Sequence, residues 1–382
     1  MTSASATAAV QTARVSGAGL LRHSPALGVA AAIGVLATAH GGYFPTTWGW
    51  GTLAFLWAAA MALLLRRRIA LSRAEVGLLL AATALVGWIG LSIVWSSARV
   101  ESVGELERAL LYLSGLLTLL VVTKRRSASH LLAGLHVAVT LVAAYALATR
   151  LFPDRVGTFD SIAVYRLSEP VGYWNALGVF AAMGALLALG FAARAQRSAG
   201  RAAAAASLPV LLLTLYFTFG RGGFIAFGVG LAMAIALDSR RLQLLACALV
   251  LAPASALPVW LASRSRALTT LRSPLPQATH DGHRLALVLL ASVGISALLA
   301  LAVAGVEARF PPGRRLQRAF AVVLVATAIG GLGGTFAEYG GPPTLARKAY
   351  DSFKSPRAKG TTLTNRLFSL WSNGRIDLWS VA

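Results

Sequence analysis

Three arginines and one asparagine stand where they could do chemistry. Arg166 precedes Tyr173-Trp174-Asn175, after which the chain turns apolar. Arg221 lies in Phe219-Gly220-Arg221-Gly222-Gly223, pinched between two apolar stretches, and Arg375 lies in the tail segment Asn373-Gly374-Arg375-Ile376-Asp377-Leu378-Trp379. A guanidinium engages two oxygens of a phosphate or diphosphate at once through its forked donors. Close to hydrocarbon it is kept chiefly where it meets an anion, a carbonyl cluster or water. Glycines beside Arg221 let a backbone or a ligand come near. Asn175 would enter a helix end, where its amide needs a polar neighbour. Each piece also has an ordinary explanation. Tyr173 and Trp174 fit an aromatic belt with a stray cation beside it, and Arg221 fits an arginine snorkelling from a turn.

The elements that must hold these residues are set by composition. Of 382 residues, 57% are apolar and 13% charged, with a mean hydropathy of +0.69. Apolar blocks of about 20 residues, each able to cross the hydrocarbon as a helix, recur along the chain. That excludes a soluble globule and predicts an all-α, polytopic integral membrane protein. The formal charge of +22 then reports orientation, with any surplus directed at anionic headgroups or phosphates rather than nucleic acid. The single cysteine, Cys247, lies in an apolar block and excludes an internal disulfide.

The blocks predict about eleven spans. They run near Pro25–Ala39, onward to Leu65, Val76–Trp95, Leu110–Thr123, Leu131–Thr149, Trp174–Ala192, Leu208–Phe219, Phe224–Leu237, Leu242–Leu261, Leu285–Val306, and lastly to Phe336. Residues 1–24 form a small, polar N-terminal tail, 25–336 the transmembrane bundle, and 337–382 a large extracytoplasmic loop. Basic turns follow alternate spans: Arg66-Arg67-Arg68, Lys124-Arg125-Arg126, the 194–201 turn, Arg240-Arg241, and the turn with Arg309, Arg314, Arg315 and Arg318. A cytoplasmic N-terminus puts all of them inside, in keeping with the positive-inside tendency. Arg166, Arg221 and Arg375 then share the outer face, with no topological duty there. In the tail, Leu367, Leu370, Trp371 and Leu378 fit an interfacial helix broken at Asn373-Gly374.

In that order, an arginine upstream of Tyr-Trp-Asn, the Thr218-Phe219-Gly220-Arg221-Gly222-Gly223 turn, and Gly374-Arg375 followed by Trp379 resemble the O-antigen ligase and O-antigen polymerase family. Its members are glycosyltransferases of the inverting, integral-membrane type. They move a glycan from an undecaprenyl-diphosphate carrier to an acceptor hydroxyl at the outer face of the cytoplasmic membrane. The family usually has Ser-Arg-Gly where this chain has Gly220-Arg221-Gly222. The resemblance covers roughly Trp95 to Ala382 and does not separate ligase from polymerase. It implies that Arg221 and Arg375 grip the donor diphosphate while Arg166 and Asn175 shape the same cavity. Fixed arginines would stabilise the leaving group without a metal or other cofactor. Partners would be the lipid-linked donor, a glycan or lipid acceptor, and membrane lipids, with no nucleic acid.

In the family a histidine late in the outer loop takes the acceptor proton. This sequence stops at Ala382, three residues past Trp379, before that histidine and the closing spans. The catalytic base is therefore unassigned, and the expectation is either a fragment of a longer protein, the favoured reading, or a truncated member that cannot finish the reaction. His280 and His283, as His-Asp-Gly-His, match no family position and read as a solvated outer loop rather than a metal site. A competing class, a transporter or flippase of lipid-linked glycans, shares the spans and the outer arginines. It would more often carry carboxylates or histidines deep in its spans.

Overall fold

The computed structural model describes residues 26–66, 70–122, 128–157, 165–270, 273–309, 340–354 and 363–368, with single helical positions between 319 and 338. The architecture is all-α. In chain order the helices are α1 (Ala26–Thr38), α2 (Pro45–Leu65), α3 (Arg73–Ser92), α4 (Arg99–Val122), α5 (Ala128–Leu151), α6 (Trp174–Arg194), α7 (Ser198–Phe217), α8 (Arg221–Leu237), α9 (Arg241–Arg264), α10 (Arg266–Thr269) and α11 (Leu275–Arg309). Pro342–Lys354 and Leu363–Phe368 are helical as well.

Among the described residues seven helices are long and apolar enough to cross a membrane: α2, α3, α5, α6, α7, α9 and α11. The case does not rest on hydropathy alone. In α3 none of the apolar window is buried within the protein, and Leu80, Leu85 and Trp88 are all more than half exposed. A helix so apolar and so uncovered is soluble only in lipid. The chain is a multi-span membrane protein.

The helices pack as two compact units. One comprises Met1–Val142 with Pro170–Gly172, the other Ala143–Glu169 with everything from Tyr173 onward. In the first unit α4 packs on α2 and α3. A Cβ at Gly51 would stand 2.7 Å from Leu111 Cδ1, so α2 and α4 meet across a glycine. The Thr118 hydroxyl donates to the Phe55 carbonyl at 2.6 Å. Arg66, just past α2, donates to the Val121 carbonyl at 2.8 Å and to that of Val122, filling acceptors that the end of α4 leaves open. Ser72 and Glu75 close a reciprocal capping box at the start of α3.

The second unit is built on α6, α7, α8, α9 and α11. Gly178, Ala181, Ala182, Ala185, Ala188 and Ala192 line a buried face of α6. Small residues let neighbouring backbones approach where lipid offers no hydrophobic drive to associate. One close crossing is glycine on glycine: a Cβ at 223 would lie 3.1 Å from the Gly178 carbonyl carbon and 2.8 Å from Leu215 Cδ1.

Two expectations need correction. His280 and His283 are not in a loop, because α11 is 35 residues long and starts at Leu275. Its polar first turns carry no apolar signal, but nothing there breaks a helix except Gly282, which a close approach explains: a Cβ would lie 2.5 Å from the Leu151 carbonyl oxygen. Likewise the 194–201 basic turn is shorter than its charges suggest. Helix α7 begins at Ser198, carried by the alanine run 202–206, and Arg201 is inside it and buried. The eleventh span falls mostly outside the described residues.

Candidate functional site

The two ends of the second unit differ in chemistry, and the residues singled out by sequence gather at one of them. Arg166 sits in the loop between α5 and α6, with Leu167 and Ser168 buried after it. The Leu167 N–H donates to the Phe217 carbonyl at 2.9 Å, which ties the loop to the last residue of α7. The Arg166 guanidinium carbon lies 3.4 Å from the centre of the Trp174 ring. In a half-buried setting such a stack contributes about 1–2 kcal/mol and fixes where the charge points. Trp174 begins α6 and packs against Tyr173, with ring centres 4.8 Å apart.

Asn175 follows on the first turn of α6. Its amide donates to the Tyr173 hydroxyl at 2.7 Å. Its side-chain oxygen lies where a Cβ at Gly220 would stand only 2.9 Å away. So the Gly220–Arg221 turn, which starts α8, sits directly against the start of α6. A side chain at 220 would have to displace the Asn175 amide. The turn is tight: the Thr218 hydroxyl donates to the Leu215 carbonyl at 2.7 Å and accepts from the Gly220 N–H at 3.3 Å. Phe219 is buried with φ +48, a conformation uncommon for an aromatic residue. Neither α6 nor α8 has a side-chain cap, so each presents open N–H groups and the positive end of its dipole.

Three of the four sequence candidates, Arg166, Asn175 and Arg221, are therefore on elements joined at one end of the unit. Arg375 lies outside the described residues. The beginning of its segment does not: Leu363 is buried, and the Thr364 hydroxyl is 3.0 Å from that of Tyr216 on the last turn of α7.

Sequence reasoning missed Arg150, at the C-terminal end of α5. It is 6% exposed. Its guanidinium carbon is 3.6 Å from the centre of the Tyr165 ring and 5.1 Å from that of Phe217, and it donates to the Tyr165 carbonyl. Among the described residues no carboxylate forms an ion pair with it. A signal was present, since the topology that sets Arg166 and Arg221 outside sets Arg150 there too, against the positive-inside tendency.

Beside this lies an open cavity of about 400 Å³ lined by Arg266, Ala267, Pro276, Gln277, His280 and Asp281. The Tyr165 hydroxyl donates to the Ala267 carbonyl at 3.2 Å, joining the Arg150 stack to the cavity wall. Asp281 accepts from the Ser265 hydroxyl at 2.6 Å. His283 packs on Phe152 with ring centres 5.2 Å apart, and its Nε2 is 3.4 Å from Asp154. Among the described residues no group of three or more His, Cys, Asp or Glu could hold a metal ion.

The opposite end closes on itself. Arg201 of α7 donates to the Ala192 carbonyl at 2.7 Å and to Glu307 of α11 at 2.7 Å, while Gln243 of α9 reaches the same carboxylate at 3.1 Å and the Ala193 carbonyl at 3.3 Å. Arg194 pairs with Asp238 just past α8. The Asp238 carboxyl is held below the usual carboxylate range by the Arg240 backbone N–H at 2.7 Å, with Arg194 adding to the effect.

No family model, curated protein or solved structure matches this chain. Its class, a multi-span helical membrane protein, comes from the helices themselves.

Proposed function

We propose that this chain is an O-antigen ligase/polymerase-like protein of the cytoplasmic (inner) membrane, with a bundle like those of integral-membrane inverting glycosyltransferases and a cytoplasmic N-terminus. It binds an undecaprenyl-diphosphate-linked glycan at the outer face and presents it to an acceptor hydroxyl. The observation that carries the reading is the gathering of the Arg166 loop, the Trp174-Asn175 helix start and the Gly220–Arg221 turn at one end of the second unit. Stacked and anchored guanidinium groups beside two open helix N-termini suit a diphosphate, because developing charge on the leaving group meets donors already in place. In this reading Arg221 and Arg375 hold the diphosphate, and Arg166 and Asn175 shape the cavity around it. The proton acceptor is unassigned.

An ion-coupled carrier is the main competitor. Among the described residues His136 of α5 is buried but no Asp or Glu is, and the lack of a buried carboxylate weighs against coupling to ion movement through the spans. The test is binding of undecaprenyl diphosphate to the purified protein. Arg221→Ala is expected to weaken it at least tenfold, and equal affinity in the variant sinks the reading.

A further inference from the structure

We propose that Arg150 is the deep cation of this end of the bundle, held ready for a phosphate-type oxyanion. The inference rests on the reading above in taking that oxyanion to belong to the same ligand.

Two observations carry it. The guanidinium is more than nine-tenths buried, yet among the described residues its hydrogen bonding is to Tyr165, whose carbonyl it meets, and it makes no ion pair. Its guanidinium carbon lies 3.6 Å from the Tyr165 ring centre and 5.1 Å from that of Phe217, so its described neighbours are aromatic rings rather than a carboxylate. A buried cation is kept where something negative meets it, and a planar fork takes two oxygens of a phosphate side by side.

A purely structural clamp explains less. A neutral donor such as glutamine could serve the Tyr165 carbonyl without burying a charge. The same unit shows what the fold does with a cation that it must neutralise alone, since Arg201 was given Glu307 at 2.7 Å. Position also fits. Tyr165 is the residue before Arg166, and Phe217 holds the Arg166 loop through the Leu167 N–H. Arg150 thus lies beneath the loop whose arginine stacks on Trp174.

The test uses the full chain in phosphatidylcholine nanodiscs, with thermal shifts read against inorganic pyrophosphate and farnesyl diphosphate, and a parallel series containing phosphatidylglycerol. Arg150→Met is expected to unfold no earlier than the wild type without ligand, while binding a diphosphate at least tenfold more weakly. Arg150→Lys keeps the charge but loses the fork, and should bind about fivefold more weakly. It carries the test if the methionine variant does not fold. Binding within twofold of wild type in both variants overturns the inference, as does a wild-type chain that responds to none of the three phosphates. Response to pyrophosphate alone marks a free oxyanion, and response only to farnesyl diphosphate marks a lipid-borne one. A response to phosphatidylglycerol alone, lost in Arg150→Met, keeps the oxyanion site and assigns it to the bilayer's own headgroups. If Arg150→Met weakens binding and Arg221→Ala does not, the deep cation stands and the reading of Arg221 falls. The reverse result removes Arg150 and leaves that reading intact.

Discussion

Two buried arginines stand near opposite ends of α7 and are treated in opposite ways. Arg201, in its first turn, is met by Glu307, by the Ala192 carbonyl and, through Glu307, by Gln243. The ends of α6, α7, α9 and α11 are thereby locked by groups the chain itself supplies. Arg150, against the last residue of α7, has two aromatic rings and one carbonyl. The rings contribute about 2 kcal/mol each at most, whereas burying an ion leaves several kcal/mol to be offset. A network whose charge the chain itself neutralises makes stability, although Arg201 Nη2 is buried without a hydrogen-bond partner. An unfinished one leaves charge available to a ligand, and this end also carries the Arg166 loop and the Gly220–Arg221 turn.

That contrast breaks first at Glu307. Replacing it with alanine leaves Arg201 without its carboxylate and should lower stability by about 3 kcal/mol, seen as a fall in the unfolding temperature of the detergent-solubilised protein. Removing both charges, as Arg201→Met with Glu307→Leu, should recover most of that loss. A single Glu307→Ala variant as stable as wild type would mean that the closed end is not held by its ion pair.

A smaller effect sharpens the same end. Because the Asp238 carboxyl sits below its ordinary range in the folded protein, its contribution is complete above the unfolded value and is lost as pH falls through the folded one. Stability should therefore drop slightly more steeply below about pH 4 in the wild type than in Asp238→Asn. Parallel curves would remove Asp238 from the account.

Much of the bundle was legible from the chain. Leucine and alanine runs fixed α2, α3, α5, α6 and α9 to within a few residues, because each run is both apolar and long. The polar turns of α11 and the start of α7 were hidden. Helix there is carried by backbone propensity and packing, whereas the apolar signal begins only at Leu285 and Leu208. The arginines at 166 and 221 stood out against charge asymmetry. Arg150 escaped because one cation just past an apolar run looks like an ordinary boundary. The Arg201–Glu307 pair escaped because its partners are far apart in sequence and no local pattern links them.

Where a diphosphate lipid touches the protein is the most direct measurement. A photoreactive farnesyl diphosphate, bound to the full chain in nanodiscs and mapped by mass spectrometry, should label residues 165–175 and 218–221, with labelling displaced by unlabelled undecaprenyl diphosphate. Displaceable labelling at 192–201 and 238–243 instead, or labelling that no competitor displaces, would contradict the assignment of the ligand to the open end.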